Sequence, residues 1–451
     1  MKIKLYRSAT VGIISDNYKL LTDPWLTDGE YYGSWSHYPY FDLKKNLNEI
    51  NSYNGIYISH IHPDHCSEKT LNQIRKTMPI FIHKYHSPFL KYKLEKYGFK
   101  VVEIENGKTF TLSKDLNITI YAADNCDPQI CYKFTGCANF LEKGGSQQID
   151  SLAVINNNKY SILNINDCPY DLSSNVLEEI NKKFNKIDVL LSGYGGAGPY
   201  PQCFENFTLE EKEIEGRKKE INFLNQTIKY IKKINPSFYL LFAGTYTLTG
   251  HLSNLQNLRG VPNIDKAYDY IFQYIKKEPY LSKIKPIKIN PETEFDISEE
   301  KTSATYQKLN IIDYKNYIKN ILLPKKLDYE NGEIADFDEI KELASLSHKR
   351  YLNKLEKLNI KLDTDILLEI FDKYIIIPFN KKRLDVINKD KFFEKNKYVI
   401  YKLNPNLLKK ILNGPKYAHW NNAEIGSHIK FYRNPNIFDR KLYLSMSYFH
   451  A

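Results

Sequence analysis

The stretch YISHIHPDHCSEKTL, from Tyr57 to Leu71, places three histidines and one aspartate within the six positions His60 to His65. The whole chain carries only 11 histidines in 451 residues, so this crowding needs a cause. The apolar run GIYISH, Gly55 to His60, suits a short buried strand. The following SEKTLNQIRKTM suits a helix, with Ser67 as N-cap and Leu71 and Ile74 at helical spacing. His60 and His62 stand two apart at the strand end, so both side chains project to one side. Imidazole nitrogen binds zinc or iron well at neutral pH. Asp64 and His65 open the next turn, within reach of a second ion. The stretch therefore reads as a metal-holding corner between a strand and a helix.

Outward from this corner, the chain up to about residue 260 alternates short strands with helices. PIFIHK, VVEIE, NITIYAAD, SLAVIN, YSILNIND, DVLLSGYGG and FYLLFAG read as strands. TLEEKEIEGRKKEINFLNQTIKYIKKI reads as a long amphipathic helix, stopped at Asn235-Pro236. Several strands run into polar or glycine-rich loops, which is how many α/β enzymes assemble a site along one sheet edge. Beyond Pro262 the texture turns lysine-rich and mostly helical, with strand-like runs such as YIIIPF and KYVIYKL. This change predicts a catalytic domain over residues 1–263 and an α-rich region over 264–451 that shapes the substrate pocket.

The formal net charge is +11, with the lysines spread along the chain and no dense basic block. That favours an anionic small-molecule substrate and argues against a nucleic-acid partner. The N-terminal MKIKLYRSATVGII is broken by Arg7, Ser8 and Thr10, unlike a signal peptide. No apolar run approaches the roughly 20 residues that span a bilayer. A cytoplasmic protein without membrane contact is the expectation. The six cysteines (Cys66, Cys126, Cys131, Cys137, Cys168 and Cys203) form no CxxC pair and no iron–sulfur spacing. Cys66, Cys126 and Cys168 adjoin proposed ligands and are expected to pack as thiols.

H-x-H-x-D-H is the motif of the metallo-β-lactamase fold, and the chain resembles that superfamily. LLTDPWLTDGEYYGSW, IYISHIHPDHCSEKTL, ILNINDCP, LLSGYGGAGPYP and LLFAGTYTLTGH resemble the metallo-β-lactamase-like part of the CMP-N-acetylneuraminate hydroxylase family. HWNNAEIGSHIKFYRNPNIF resembles its C-terminal region. The resemblance implies an αββα sandwich with two metal ions, one on His60 and His62 and the other on Asp64 and His65. It further implies that Asp167 bridges the ions and that His251 completes the second. Asp127 falls where the family carries a histidine. As a ligand it would make the first position more oxygen-rich, favouring iron or manganese over zinc, with Asp124 as substitute. Asp23 matches a position expected to orient ligands by hydrogen bonding. Gly195 and Gly196, in SGYGGAGP, could offer backbone N–H groups to a phosphate.

Two divalent ions, iron or zinc with manganese as a third choice, lower the pKa of a shared water. Hydrolysis by metal-bound hydroxide is the first expectation, with Asp64 orienting that hydroxide or shuttling its proton. The substrate class implied is a nucleotide-activated sugar. The alternative is an iron-dependent oxygenase served by an outside electron-donor protein, since no Rieske-type C-x-H and C-x-x-H pair occurs. A third reading is a non-catalytic nucleotide-sugar-binding protein.

Overall fold

The computed structural model describes residues 1–127, 130, 149–378, 383–392 and 397–451. Cys131 and Cys137 lie outside the described residues. The strands read from sequence form as Gly55–Tyr57, Ile80–His83, Val101–Ile104, Leu116–Ala122, Ser151–Asn156, Ser161–Asn164, Val189–Gly193 and Phe238–Phe242. They divide between two mixed sheets, an eight-stranded one holding Gly55–Tyr57 and a seven-stranded one holding Ser151–Asn156.

Alternation along the strands dictates how the sheets stack, because successive side chains face opposite ways. Val11, Ile13, Leu20 and Tyr57 of the first sheet meet Ile118, Ile120, Ile155, Ile162 and Leu240 of the second in one buried cluster. The outer face of the first sheet, with Leu21, Ile56, Ile80 and Ile82, is covered by Leu43, Ile50, Leu90 and Leu94 from the helices Leu43–Ile50 and Phe89–Lys96. The outer face of the second, with Leu152, Leu163, Leu190 and Leu241, is covered by the helices Tyr170–Lys183, Leu209–Ile234 and Ile264–Lys277. Helix, sheet, sheet, helix: this is the αββα sandwich of the metallo-β-lactamase fold.

The long helix Leu209–Ile234 starts at a capping box of Thr208 and Glu211 and ends where Asn235 turns left-handed, at φ +49, before Pro236. The helix after Ser67 is shorter than its sequence suggests. Ser67 Oγ accepts from the Thr70 N–H as an N-cap should, but the helix stops at Leu71 after one turn. Leu71 and Ile74 are buried nonetheless, so the apolar spacing serves packing without further helix.

One further correction concerns the region after residue 263. The strands Lys285–Pro286, Thr293–Asp296 and Lys301–Thr302 extend the sandwich sheets, so the sandwich continues past residue 263 to Thr302. The remainder holds more helix than strand, and its strand-like runs YIIIPF and KYVIYKL form the strands Lys373–Ile377 and Tyr398–Lys402. It carries a five-stranded sheet in which Asp365–Ile370 lies between Lys373–Ile377 and Tyr398–Lys402, the latter bordered by Lys430–Asn434. Its β-branched and aromatic residues give it high strand preference. Leu368, Ile375, Val399 and Tyr401 from this sheet share a core with Trp25, Trp35, Phe204 and Leu248 of the sandwich. No helix among the described residues is long and apolar enough to cross a membrane.

Candidate metal centre

The strand Gly55–Tyr57 delivers the chain to Ser59 and His60 at the sheet edge. Asp23 follows the neighbouring parallel strand Lys19–Thr22, which brings its carboxylate beside them. Asp23 Oδ1 accepts from the Ser59 N–H at 2.7 Å, and Oδ2 accepts from Ser59 Oγ at 2.8 Å. With its proton given to Asp23, Ser59 Oγ can accept from His60 Nδ1, 2.9 Å away. That leaves His60 Nε2 as the lone-pair nitrogen, facing His62 Nδ1 at 2.9 Å. His65 Nδ1 lies 3.0 Å from Asp23 Oδ2, so its Nε2 likewise turns inward, toward Asp64 Oδ2 at 3.4 Å and Asp167 Oδ2 at 3.3 Å. Asp23 thus stands behind the histidines.

Ligand atoms converge in two groups, His60 with His62 and Asp150, and His60 with His65 and Asp167, each within 4.8 Å. Asp64 joins the second through His65. The sequence reading overlooked Asp150. It sits at the start of Ser151–Asn156, a strand antiparallel to both neighbours, so its beginning lies at the edge where Leu116–Ala122 and Ser161–Asn164 end. Reading only strand ends for ligands passes over such a residue. The signal available was QQIDSL, an aspartate directly before a strand.

The structure does not bring Asp127 or His251 into either group. The Asp127 N–H bonds to the Asp124 carbonyl at 2.9 Å, and Asp124 Oδ1 accepts from the Cys126 N–H at 3.0 Å. The segment is a tight turn, with Cys126 at φ +57. His251 is the second residue of the 3-10 run Gly250–Leu258 and faces outward, its side chain 58% exposed and 3.0 Å from Glu330. Gly195 and Gly196 are closely packed. A Cβ on Gly196 would lie 1.9 Å from the Phe223 ring, and one on Gly195 would lie 3.0 Å from Val261. Cys66 and Cys168 are buried thiols, as expected of packing groups, whereas Cys126 is exposed.

Electrostatics follow from this crowding. Burial keeps the His60 and His62 rings from protonating, and neighbouring histidines add to the effect at His60, so both remain neutral donors. Burial opposes charge at His65 as well, yet the carboxylates of Asp167, Asp64 and Asp23 push its pKa well above the ordinary value. Burial raises the Asp150 carboxyl to about 7, with Asp167 adding repulsion. Asp167, Asp64 and Asp23 thus surround the His65 ring with negative charge, which favours a cation there, whether a proton or a metal ion. A donor set of three imidazoles and three carboxylates, with the outward nitrogens of His60 and His65 already committed to Ser59 and Asp23, fits divalent metal ions.

Sandwich and donor set together define a metallo-β-lactamase-fold protein with a candidate metal centre. Among proteins of known name, the chain is similar to cytidine monophosphate-N-acetylneuraminic acid hydroxylase. It is 26% identical to the Danio rerio protein over 240 residues, 51% of this chain and 35% of that one. It is 25% identical over 247 residues to the Homo sapiens protein, whose name marks it inactive, covering 52% of this chain and 43% of that one. The match thus spans less than half the length of these relatives. No family model matches. Among solved structures, isothiocyanate hydrolase from Delia radicum gut bacteria superposes with TM-score 0.43 at 12% identity, over 66% of this chain and 99% of that one. CmlA, a diiron β-hydroxylase from Streptomyces venezuelae, superposes with TM-score 0.42 at 14% identity, over 68% and 54%.

Proposed function

We propose that the chain is a dinuclear metal enzyme that hydroxylates an anionic small molecule, with a nucleotide-activated sugar as the substrate class. The observation that carries this reading is Asp150 beside His60 and His62. A carboxylate in each position makes the centre oxygen-rich, which suits iron or manganese better than zinc. Iron there supplies the redox chemistry of C–H hydroxylation. The balance is a C–H bond, O₂, two electrons and two protons giving an alcohol and water, with the electrons from an outside donor protein. The chain's own residues hold the ligands: Ser59 and Asp23 fix the inward nitrogens, and Tyr31 donates to Asp64 Oδ1 at 2.5 Å. The net charge of +11 and the hydroxylase relatives support an anionic substrate.

Hydrolysis is the second reading, favoured by Asp64. Burial works to neutralise this carboxylate, but His65 and the Tyr31 hydroxyl hold it below its ordinary pKa, so it stays ionised and can orient a water by accepting its hydrogen bond. One experiment separates the two. The protein is loaded with iron or with zinc, and oxygen uptake is followed after adding a reductant, alongside p-nitrophenol release from bis(p-nitrophenyl) phosphate. The oxidative reading predicts uptake by the iron form alone. Background uptake by the iron form, with phosphodiester cleavage by the zinc form, would overturn it in favour of hydrolysis.

A further inference from the structure

Two hydrogen-bond routes run from the end of the chain to the backs of the metal ligands. The first ends at His62. Its Nδ1 faces His60 Nε2 at 2.9 Å, so Nε2 carries the ring proton when Nδ1 gives its lone pair to a cation. Asn421, in the helix Trp420–Ile425, places its amide 3.4 Å from that Nε2. Turning the amide over, which leaves its shape unchanged, presents Oδ1 as acceptor for this proton.

The second route ends at Asp64. Tyr31 donates to Oδ1, leaving Oδ2 toward His65. Tyr31, Tyr32 and Gly33 stand at φ +50, +58 and +91, and two tyrosines in left-handed conformation need external restraint. The C-terminal region supplies it. His428 Nε2–H donates to the Tyr31 carbonyl at 2.7 Å, while its Nδ1 accepts from the Tyr329 hydroxyl at 2.9 Å. The His419 N–H donates to the Tyr32 hydroxyl at 2.7 Å. Gly426 permits this close approach, since a Cβ there would lie 2.6 Å from the His428 ring and 2.9 Å from Ser34 Oγ.

We propose that the segment His419–His428 positions both halves of the metal centre: Asn421 orients His62, and His428, acting through Tyr31, orients Asp64. The inference rests on the two-metal reading. It makes the centre a joint product of the sandwich and the C-terminal region, and Asn421 and His428 its positioning residues.

The test is titration of the metal-free full chain with cobalt(II), read by visible absorption and by competition with a chelator. Wild type takes up two equivalents. Asn421 is exposed, so Asn421→Ala leaves the fold alone; it weakens one equivalent by about 10- to 100-fold, and Asn421→Asp, which keeps an acceptor, restores it. Tyr31→Phe weakens the other equivalent by a similar factor, and the double variant weakens both. His428→Gln, whose amide N–H can still reach the Tyr31 carbonyl, binds as wild type does, whereas His428→Ala follows Tyr31→Phe. Two tight equivalents in Asn421→Ala and in Tyr31→Phe would overturn the positioning roles. A wild type that takes up no cobalt would overturn the two-metal reading itself.

Discussion

Ser59 does more than its size suggests. One hydroxyl bonds Asp23 and His60 together, so a single substitution reaches both candidate ligand groups. Ser59→Ala should loosen metal binding by about 10- to 100-fold while leaving the thermal transition nearly unchanged; chelator competition and calorimetry measure the two effects separately. Glu424 illustrates the cost of burying a carboxyl. Its Oε1 is shielded from water and has no hydrogen-bond partner among the described residues, and burial raises its pKa to about 8. The unfolded carboxyl ionises near 4.5, whereas the folded one stays protonated up to about 8. The unfolded state therefore holds fewer protons across this window, so stability falls as pH rises from about 4.5 to about 8, by at most about 1.4 kcal/mol per unit for one group. Urea midpoints of Glu424→Gln should show a shallower decline over the same window than wild type. At this scale most of the clustered side chains were legible, because His60, His62, Asp64, His65 and Asp167 lie in two short motifs. Asp150 escaped because its place depends on an antiparallel pairing, and His428 escaped because it meets Tyr31 from 397 residues away.

Elements whose signals are local were the most legible. The strands of the sandwich could be read because each is a short apolar run, and the helix Leu209–Ile234 because a cap, an apolar stripe and an Asn-Pro stop all agree. Removing that cap with Thr208→Ala should cost about 1 kcal/mol, read as a shift in the urea midpoint. The turn beside this helix is less forgiving. Gly196→Ala drives a methyl into the Phe223 ring, and overpacking of this kind costs about 1–3 kcal/mol. If Gly196→Ala proves as stable as wild type, the packing role given to this glycine is wrong. His251 shows the limit of motif reading. Its position after TLTG matched the family's last histidine, but the tertiary environment turned it toward Glu330.

At the scale of the whole molecule, the boundary expected at residue 263 misplaces the joint. Sheet pairing carries the sandwich to Thr302, and beyond it the C-terminal sheet shares one core with Trp25, Trp35, Phe204 and Leu248. Trp35 stacks on Tyr246 with 3.6 Å between ring centroids inside that core. Composition could not reveal this, since cores are made by contacts distant in sequence. A chain ending at Thr302 would leave these aromatics uncovered. It should bind a hydrophobic dye and lose the single cooperative transition of the full chain; a sharp, dye-free transition would show the sandwich to be independent.

The most direct test of the central claim is the metal content of protein purified without oxygen, for wild type, Asp150→Ala and Asp127→Ala side by side. The account predicts two irons per wild-type chain, a clear loss of one in Asp150→Ala, and two retained in Asp127→Ala. Full occupancy in Asp150→Ala with loss in Asp127→Ala, or two zinc ions in wild type, would contradict it.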